Sequence, residues 1–195
     1  MTHSEQHTPR RALVALGAAV LAAALVTGCA GDGGGGAAPE GWGTLDAKRL
    51  TVSFPKGFKP LTGAGLGKNN DAAAVLTQDG VIVAKIAVQT NFMQAGDVDM
   101  AALGARSTFV LGARAKSQKE IDVEGTDEAR RVDYDTQRSN GKDNAPPEGT
   151  PIEGTDVVAM DAQDDPFLVR VIRKEGSIPA ADIDKIIESV TITTD

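Results

Sequence analysis

Residues 72–90 read AAAVLTQDGVIVAKIAVQT, in which two apolar segments flank Asp79-Gly80. An Asp-Gly pair in this position is a strong signal for a β-hairpin, because the two-residue turn needs a positive φ at both central positions. The residues of the second segment that share one apolar face are Ile82, Ala84, Ile86 and Val88. Lys85 lies on the opposite face. The stretch therefore predicts an antiparallel hairpin with one face in the protein core.

Other segments show the two-residue alternation of a strand. We predict strands at Leu50–Pro55, Glu120–Glu124, Glu128–Gln137, Asp156–Gln163, Phe167–Lys174 and Thr191–Thr194. Two of them form a hairpin around Asp164-Asp165, in which Phe167, Val169 and Val171 would face the core. Residues 138–154 are polar and contain three prolines, so this segment is predicted to be a long mobile loop.

Two segments have the three- and four-residue spacing of amphipathic helices. The first would begin with Asp99 as its N-cap and end near Gly112. Its apolar stripe consists of Met100, Leu103, Val110 and Leu111. The second helix would begin at Pro179, and its stripe consists of Ile183, Ile186, Ile187 and Val190. Both stripes are expected to pack on a sheet.

The predicted order of elements is strand, hairpin, helix, four strands, helix and strand. Connections that are mostly hairpins indicate an antiparallel sheet. The sequence therefore predicts the α+β class, with a mostly antiparallel sheet of about seven strands packed with two helices. This domain is expected to span residues 45–195, because the glycine-rich residues 29–44 before it would form a flexible tether.

Residues 1–28 have the pattern of an export signal. Arg10-Arg11 precedes an apolar run, Ala12–Val26, and small residues follow it. A membrane-spanning helix needs about 20 apolar residues, so this shorter run favours a cleaved signal peptide over a permanent anchor. The paired arginines permit export by the twin-arginine route as well as by general secretion.

The segment Val26-Thr27-Gly28-Cys29 resembles the lipobox of bacterial lipoproteins. The resemblance implies cleavage between Gly28 and Cys29, and lipid attachment through a diacylglyceryl group on the sulfur of Cys29. Cys29 is the only cysteine of the chain, so a disulfide within the chain is excluded. Two acyl chains give durable attachment. The protein would therefore be lipid-anchored to the cell membrane at its extracytoplasmic face.

Cleavage at this site would leave a chain without histidine, because His3 and His7 both precede Cys29. Ser-His-Asp and Cys-His catalysis and His- or Cys-ligated metal centres would then be excluded. The formal net charge is -7, with 20 Lys+Arg against 27 Asp+Glu, which argues against nucleic acid as a partner. We predict no catalytic residue, no metal site and no cofactor, and therefore a protein that is not an enzyme.

Two acidic segments, Asp97–Asp99 and Asp161–Asp165, are the remaining candidates for a charged site. Neither has the spacing of the twelve-residue calcium loop, in which acidic ligands alternate and the last ligand is a glutamate. Carboxylates in such positions commonly cap helices or stabilise hairpin turns. We predict those two structural roles here.

From about Leu45 to Thr193 the chain resembles the PsbP-like family, which includes extrinsic photosystem subunits and actinobacterial surface lipoproteins. The resemblance depends on three segments, Leu50–Phe58 (LTVSFPKGF), Glu128–Tyr134 (EARRVDY) and Ile183–Val190 (IDKIIESV). It implies a non-enzymatic binding or assembly module without a shared catalytic set. The richness in alanine and glycine would suit a GC-rich actinobacterium.

Three hypotheses for the function follow. The first is an envelope lipoprotein whose domain binds another envelope component, either a protein or a lipid. The second is a carrier that holds a lipid or another apolar ligand in a cleft between the sheet and the helices. The third is a hydrolase with two carboxylates about 5–10 Å apart in a deep pocket. The sequence assigns no ligand-binding residue to any of them.

Overall fold

The structure is a computed structural model, and it describes residues 38–109 and 113–193. The strands are β1 Gly43–Ala47, β2 Leu50–Phe54, β3 Lys59–Pro60, β4 Ala72–Gln78, β5 Val81–Thr90, β6 Ala115–Glu120, β7 Ala129–Tyr134, β8 Gln137–Arg138, β9 Pro151–Met160, β10 Pro166–Lys174 and β11 Thr191–Ile192. The α-helices are α1 Val98–Ser107 and α2 Ala180–Glu188, and Gly63–Leu66 forms a short 3₁₀ helix. Neither α-helix in these two ranges has the length and apolar character that crossing a bilayer requires.

The named strands pair in antiparallel fashion and form two sheets. The larger sheet has the order β3-β4-β5-β10-β9-β7-β6, with β8 also paired to β9, and the smaller has the order β1-β2-β11. The predicted α+β class, with a mostly antiparallel sheet and two helices, is confirmed. The predicted β4–β5 hairpin is confirmed as well, and its turn residues Asp79 and Gly80 have φ values of 51° and 79°.

One face of the larger sheet forms the main core together with α2 and the smaller sheet. The predicted stripe of α2 is buried there, as are the predicted core residues of β10; these side chains are Ile183, Ile186, Ile187, Val190, Phe167, Val169 and Val171. The alternation of β10 and the helical spacing of α2 therefore identified this core correctly.

The opposite face of the larger sheet packs against α1, whose N-terminus differs from the prediction. The helix begins at Val98, and its N-cap is Asp97, whose Oδ1 accepts a hydrogen bond from the backbone N of Met100 at 2.7 Å. The predicted cap, Asp99, lies in the first turn and pairs with Arg130 at 3.0 Å. The cap was misplaced because two aspartates lie two residues apart and both are good cap residues.

The predicted apolar stripe of α1 was also wrong. Met100 and Leu103 are 51% and 54% exposed. The buried residues of α1 are Val98, Ala101, Ala102 and Ala105. Small side chains on the contact face let the helix lie close to the sheet, and close packing leaves no space for larger ones. The other predicted members, Val110 and Leu111, and the predicted end at Gly112 lie outside the described residues.

Several strands differ from the prediction; β7 ends at Tyr134 instead of Gln137, and β9 ends at Met160 instead of Gln163. β1, which begins at Gly43, was not predicted. β6 spans Ala115–Glu120 instead of Glu120–Glu124, because this edge strand is exposed along nearly its whole length and has no apolar alternation. β9 begins at Pro151, so the loop before it covers residues 139–150 and not the predicted 138–154.

Candidate functional site

A groove lies between the loop 139–150 and the sheet, next to β5, β9 and β10. Its volume is about 350 Å³, at the small end of the range for ligand pockets, roughly 300–1,000 Å³. Its lining is mainly apolar and includes Val83, Lys85, Ile152, Ile172 and Lys174 of the sheet, and Arg138, Ser139, Lys142, Asp143, Ala145 and Pro146 of β8 and the loop. We call this space the groove.

Hydrogen bonds hold the loop above the groove. Ser139, which is buried, donates from its N to the carbonyl oxygen of Thr150 (2.8 Å) and from its Oγ to that of Pro146 (2.6 Å). Farther along, the carbonyl oxygen of Asn144 accepts a hydrogen bond from the backbone N of Ile82 at the start of β5 (2.8 Å). The segment is therefore a closed loop attached to β5, and not the long free loop that the sequence predicted.

Lys85 is one of three charged residues that β5 and β10 contribute to the groove, the others being Arg173 and Lys174 at the end of β10. It lies in β5 directly opposite Ile172 of β10, on the face predicted to be opposite the core row. Its side chain is partly buried, and burial lowers the pKa of its ammonium group because the charged form loses hydration. Within the two described ranges Lys85 belongs to no ion pair.

The groove is positively charged although the whole chain has a net charge of -7. Its basic residues are Lys85, Arg138, Lys142, Arg173 and Lys174, and its acidic residue is Asp143. Arg173 is neutralised by Glu153, with Nη2 and Oε2 2.9 Å apart. The other four basic residues form no ion pair with any residue that the structure describes. The groove therefore combines apolar walls with unneutralised positive charge.

A network of three polar side chains is buried between the sheet and α1. Arg170 of β10 donates to both carboxylate oxygens of Asp156 on β9, at 2.8 and 2.7 Å. The hydroxyl of Tyr134 donates to the same carboxylate at 2.6 Å. Arg170 also donates to the carbonyl oxygens of Ala105 and Thr108 at the end of α1, at 2.6 and 3.1 Å. This network attaches the C-terminal end of α1 to the sheet, where a cation also interacts favourably with the helix dipole.

Burial shifts the pKa of each member of this network, and it raises the pKa of Asp156 although Arg170 and Tyr134 bind that carboxylate. Burial, and then the charge of Asp156, raises the pKa of Tyr134 far above its ordinary value, so its hydroxyl remains a donor. Burial lowers the pKa of Arg170, but the hydrogen bonds to Asp156 and the charge of that carboxylate, with a contribution from Tyr134, together leave the pKa raised. Each of the three residues is at most 8% exposed. We therefore assign them a structural role, because their polar groups bind one another and the end of α1.

The two acidic segments noted in the sequence border one depression of about 550 Å³. Asp97 caps α1, and Oδ1 of Asp161 accepts hydrogen bonds from the backbone N of Gln163 and Asp165 (2.9 and 2.8 Å). The two segments therefore have the predicted cap and turn roles, although the cap is Asp97 and not Asp99. Asp161 is also paired with Arg49 at 2.6 Å. In residues 38–109 and 113–193, no group of three acidic, histidine or cysteine residues is arranged to hold a metal ion.

The predicted lipid-attachment residue Cys29 and the cleavage site between Gly28 and Cys29 lie outside the described residues. The groove was not predicted. A signal for it was Lys85, a charged residue within an apolar segment. The basic residues Arg138 and Lys142 gave no comparable signal, because local sequence does not specify the path of a loop across a sheet.

Comparison with solved structures shows this fold in other proteins. The Saccharomyces cerevisiae Ran-binding protein Mog1p has a TM-score of 0.50 and 12% identity, over 77% of this chain and 95% of that chain. A mutant of Mog1 has a TM-score of 0.50 and 13% identity, over 78% and 96% of the two chains. The cyanobacterial PsbP (CyanoP) of Synechocystis has a TM-score of 0.47 and 11% identity, over 86% and 98%. No family model and no curated protein matches the sequence. At these identities the likeness to Mog1 shows the fold alone.

Proposed function

We propose that this chain is an extracytoplasmic bacterial lipoprotein whose α+β domain is a non-enzymatic binding module. Its anchor is the diacylglyceryl group that the lipobox indicates on Cys29. Each methylene of the acyl chains contributes about 0.8 kcal/mol when it is buried in the bilayer, so two chains hold the protein durably. The composition of the glycine-rich residues 30–41 predicts a mean reach of about 20 Å between the anchor and the domain.

The PsbP-like assignment and an actinobacterial origin belong to this proposal, and the sequence segments described above support them. In the first segment, Phe54 and Phe58 are both buried, and their ring centroids are 6.1 Å apart. In the third, Ile183 and Ile186 belong to the same core. The residues of these segments thus support the fold, and the binding site lies elsewhere in the domain.

The function that the geometry supports best is the binding of a small apolar ligand in the groove. The observation that supports it is an apolar space of about 350 Å³ beneath a hydrogen-bonded loop. Small-molecule sites are typically concave, apolar and formed before the ligand binds. The groove has these features, and it would hold a ligand close to the membrane from which an apolar molecule could be taken.

Docking of a protein partner is less well supported. Among the described residues, the exposed large apolar side chains are Met100 and Leu103. A stable interface buries about 800 Å² on each partner, and two side chains supply a small part of that. The carrier hypothesis is therefore favoured over the hypothesis of a protein-docking module, although the groove lies between the loop 139–150 and the sheet and not, as predicted, between the sheet and the helices.

The carboxylate hydrolase is not favoured by the acidic depression. The general acid of such a hydrolase is a carboxyl group that an apolar environment keeps protonated. Asp161 is buried, but Arg49 neutralises it and two backbone N–H groups bind it. The other carboxylates that border the depression, namely Asp97, Asp127, Glu128 and Asp164, are exposed.

Cys29→Ser is expected to abolish incorporation of labelled palmitate and to move the protein out of the membrane fraction, because serine lacks the sulfur to which the lipid would be attached. The measurement is metabolic labelling followed by fractionation of the cells. Ala30→Ser, which leaves the four lipobox residues intact, is the control and should keep both the label and the membrane location. Labelled Cys29→Ser protein in the membrane fraction would contradict the proposed anchor.

Ala145→Trp is expected to weaken the binding of 1-decanol about tenfold or more, because the indole ring would fill part of the groove. Isothermal titration calorimetry on the full chain carrying Cys29→Ser measures this binding without attached lipid. Ala180→Trp adds the same ring at an exposed position at the start of α2 and serves as the control. Equal affinities for the two tryptophan variants would show that decanol binds outside the groove.

A further inference from the structure

We infer that the ligand of the groove is a single-chain amphiphile with a terminal carboxylate, which Lys85 binds through its ammonium group while the aliphatic chain contacts Ile152 and Ile172. This inference depends on the proposed function, because it names the chemical class of ligand that the groove takes. It follows from the charge, the volume and the apolar lining of the groove.

The charge of the ligand follows from Lys85. Its side chain is partly buried among apolar neighbours and belongs to no ion pair within residues 38–109 and 113–193. Removing an ammonium group from water without a counter-charge is unfavourable, and the lowered pKa of Lys85 has the same cause. A carboxylate on a ligand would supply the counter-charge in a space from which the ligand also excludes water.

The rim of the groove reinforces this preference for an anion. Arg138, Lys142 and Lys174 are exposed and line the groove, against one exposed acidic residue, Asp143. Charges of one sign around a cleft with apolar walls raise the local concentration of ligands of the opposite sign. The whole chain has a net charge of -7, whereas the rim of the groove is positive. The rim would therefore attract anions and repel cations.

The volume and the number of partly buried charges narrow the class of ligand. A space of about 350 Å³ is close to the lower limit for ligand sites, so it fits one aliphatic chain and not a two-chain lipid. Two cations of the groove, Lys85 and Arg173, are partly buried, and Arg173 is paired with Glu153. Lys85 therefore contributes the one positive charge next to the apolar walls that no described carboxylate neutralises. A carboxylate carries one negative charge, whereas a phosphate monoester carries about 1.5 to 2 at neutral pH. An amphiphile with one carboxylate and one aliphatic chain therefore matches both the volume of the groove and its charge.

Calorimetry with three probes tests the inference on the full chain carrying Cys29→Ser. The probes are decanoate below its critical micelle concentration, 1-decanol and acetate. We expect decanoate to bind about tenfold more tightly than decanol, which has the same chain without the charge, and acetate not to bind measurably. Equal affinities for decanoate and decanol would overturn the carboxylate inference and leave the groove as an apolar site.

A substitution at Lys85 then tests whether this residue causes the preference for decanoate over decanol. Lys85→Met keeps much of the aliphatic length and removes the charge, so it should abolish the preference for decanoate while changing the affinity for decanol by less than about twofold. Lys85→Arg keeps the charge and should retain most of the preference. Lys116→Met removes an exposed lysine of β6, outside the groove, and should bind like the parent chain.

The remaining outcomes decide between the two proposals. If the parent chain prefers decanoate but Lys85→Met keeps that preference, Lys85 is not the anion-binding residue and the inference is wrong. If neither decanoate nor decanol binds, both the inference and the groove as a ligand site are wrong. If Lys85→Met does not fold, the comparison of decanoate with decanol on the parent chain still decides whether the ligand is an anion.

Discussion

Arg170→Met is expected to lower the free energy of unfolding by about 3–5 kcal/mol, because it leaves the carboxylate of Asp156 buried without its cation. Asp156 is 0% exposed and Arg170 is 8% exposed, so solvent screens their interaction little. The substitution also removes the hydrogen bonds from Arg170 to the end of α1. Urea denaturation followed by circular dichroism measures the change.

Arg130→Met is the matched control for this prediction. Arg130 pairs with Asp99, but the carboxylate of that pair is 62% exposed. An exposed ion pair contributes about 0–1 kcal/mol, so the control should lose little stability. If both arginine variants lose the same small amount, the network of Tyr134, Asp156 and Arg170 does not hold α1 on the sheet.

Ile186→Asp is expected to unfold the domain or to lower its stability by at least about 4 kcal/mol, because a carboxylate without a partner would replace an apolar side chain in the main core. Ile186 of α2 is 0% exposed and belongs to the main core, which α2 forms with residues of both sheets. Thermal melting followed by far-UV circular dichroism is the measurement. A melting curve equal to that of the parent chain would place Ile186 on the surface.

Leu103→Asp is the control for the change from an aliphatic to an acidic residue. Leu103 is on α1 and is 54% exposed, so the aspartate side chain would remain hydrated. The melting temperature should change by only a few degrees, as is usual for surface substitutions. Unfolding of Leu103→Asp would indicate that α1 buries the face with Met100 and Leu103, as the sequence pattern predicted.

The elements predicted correctly from the sequence are those whose signal is local and strong. The β4–β5 hairpin has an Asp-Gly turn between alternating apolar segments, and α2 has three isoleucines at helical spacing. In each case the residues that identify the element are also those that become buried. Local pattern and tertiary packing therefore agree for these elements.

The elements predicted poorly are those whose packing depends on distant parts of the chain. α1 presents alanines to the sheet, and only the tertiary structure shows that its larger residues, Met100 and Leu103, remain exposed. β6 is an exposed edge strand without alternation. The position of β6 is determined by its pairing with β7 and not by a pattern in the residues of β6.

Prediction of the candidate site from the sequence is limited in the same way, because the site depends on contacts between distant parts of the chain. Asp156 and Arg170 are direct partners across the β9–β10 hairpin, so the register of that hairpin would have identified their ion pair from the sequence. The groove, in contrast, forms where a loop closed by Ser139 crosses to β5 and covers Lys85. That contact joins segments more than fifty residues apart, and no local pattern indicates it.

The most direct test of the central claim is a crystal structure of the full chain carrying Cys29→Ser with decanoate bound. We expect the aliphatic chain in the groove against Ile152 and Ile172, with the carboxylate within hydrogen-bonding distance of Nζ of Lys85. Density for decanoate elsewhere on the domain, with the groove empty, would contradict it.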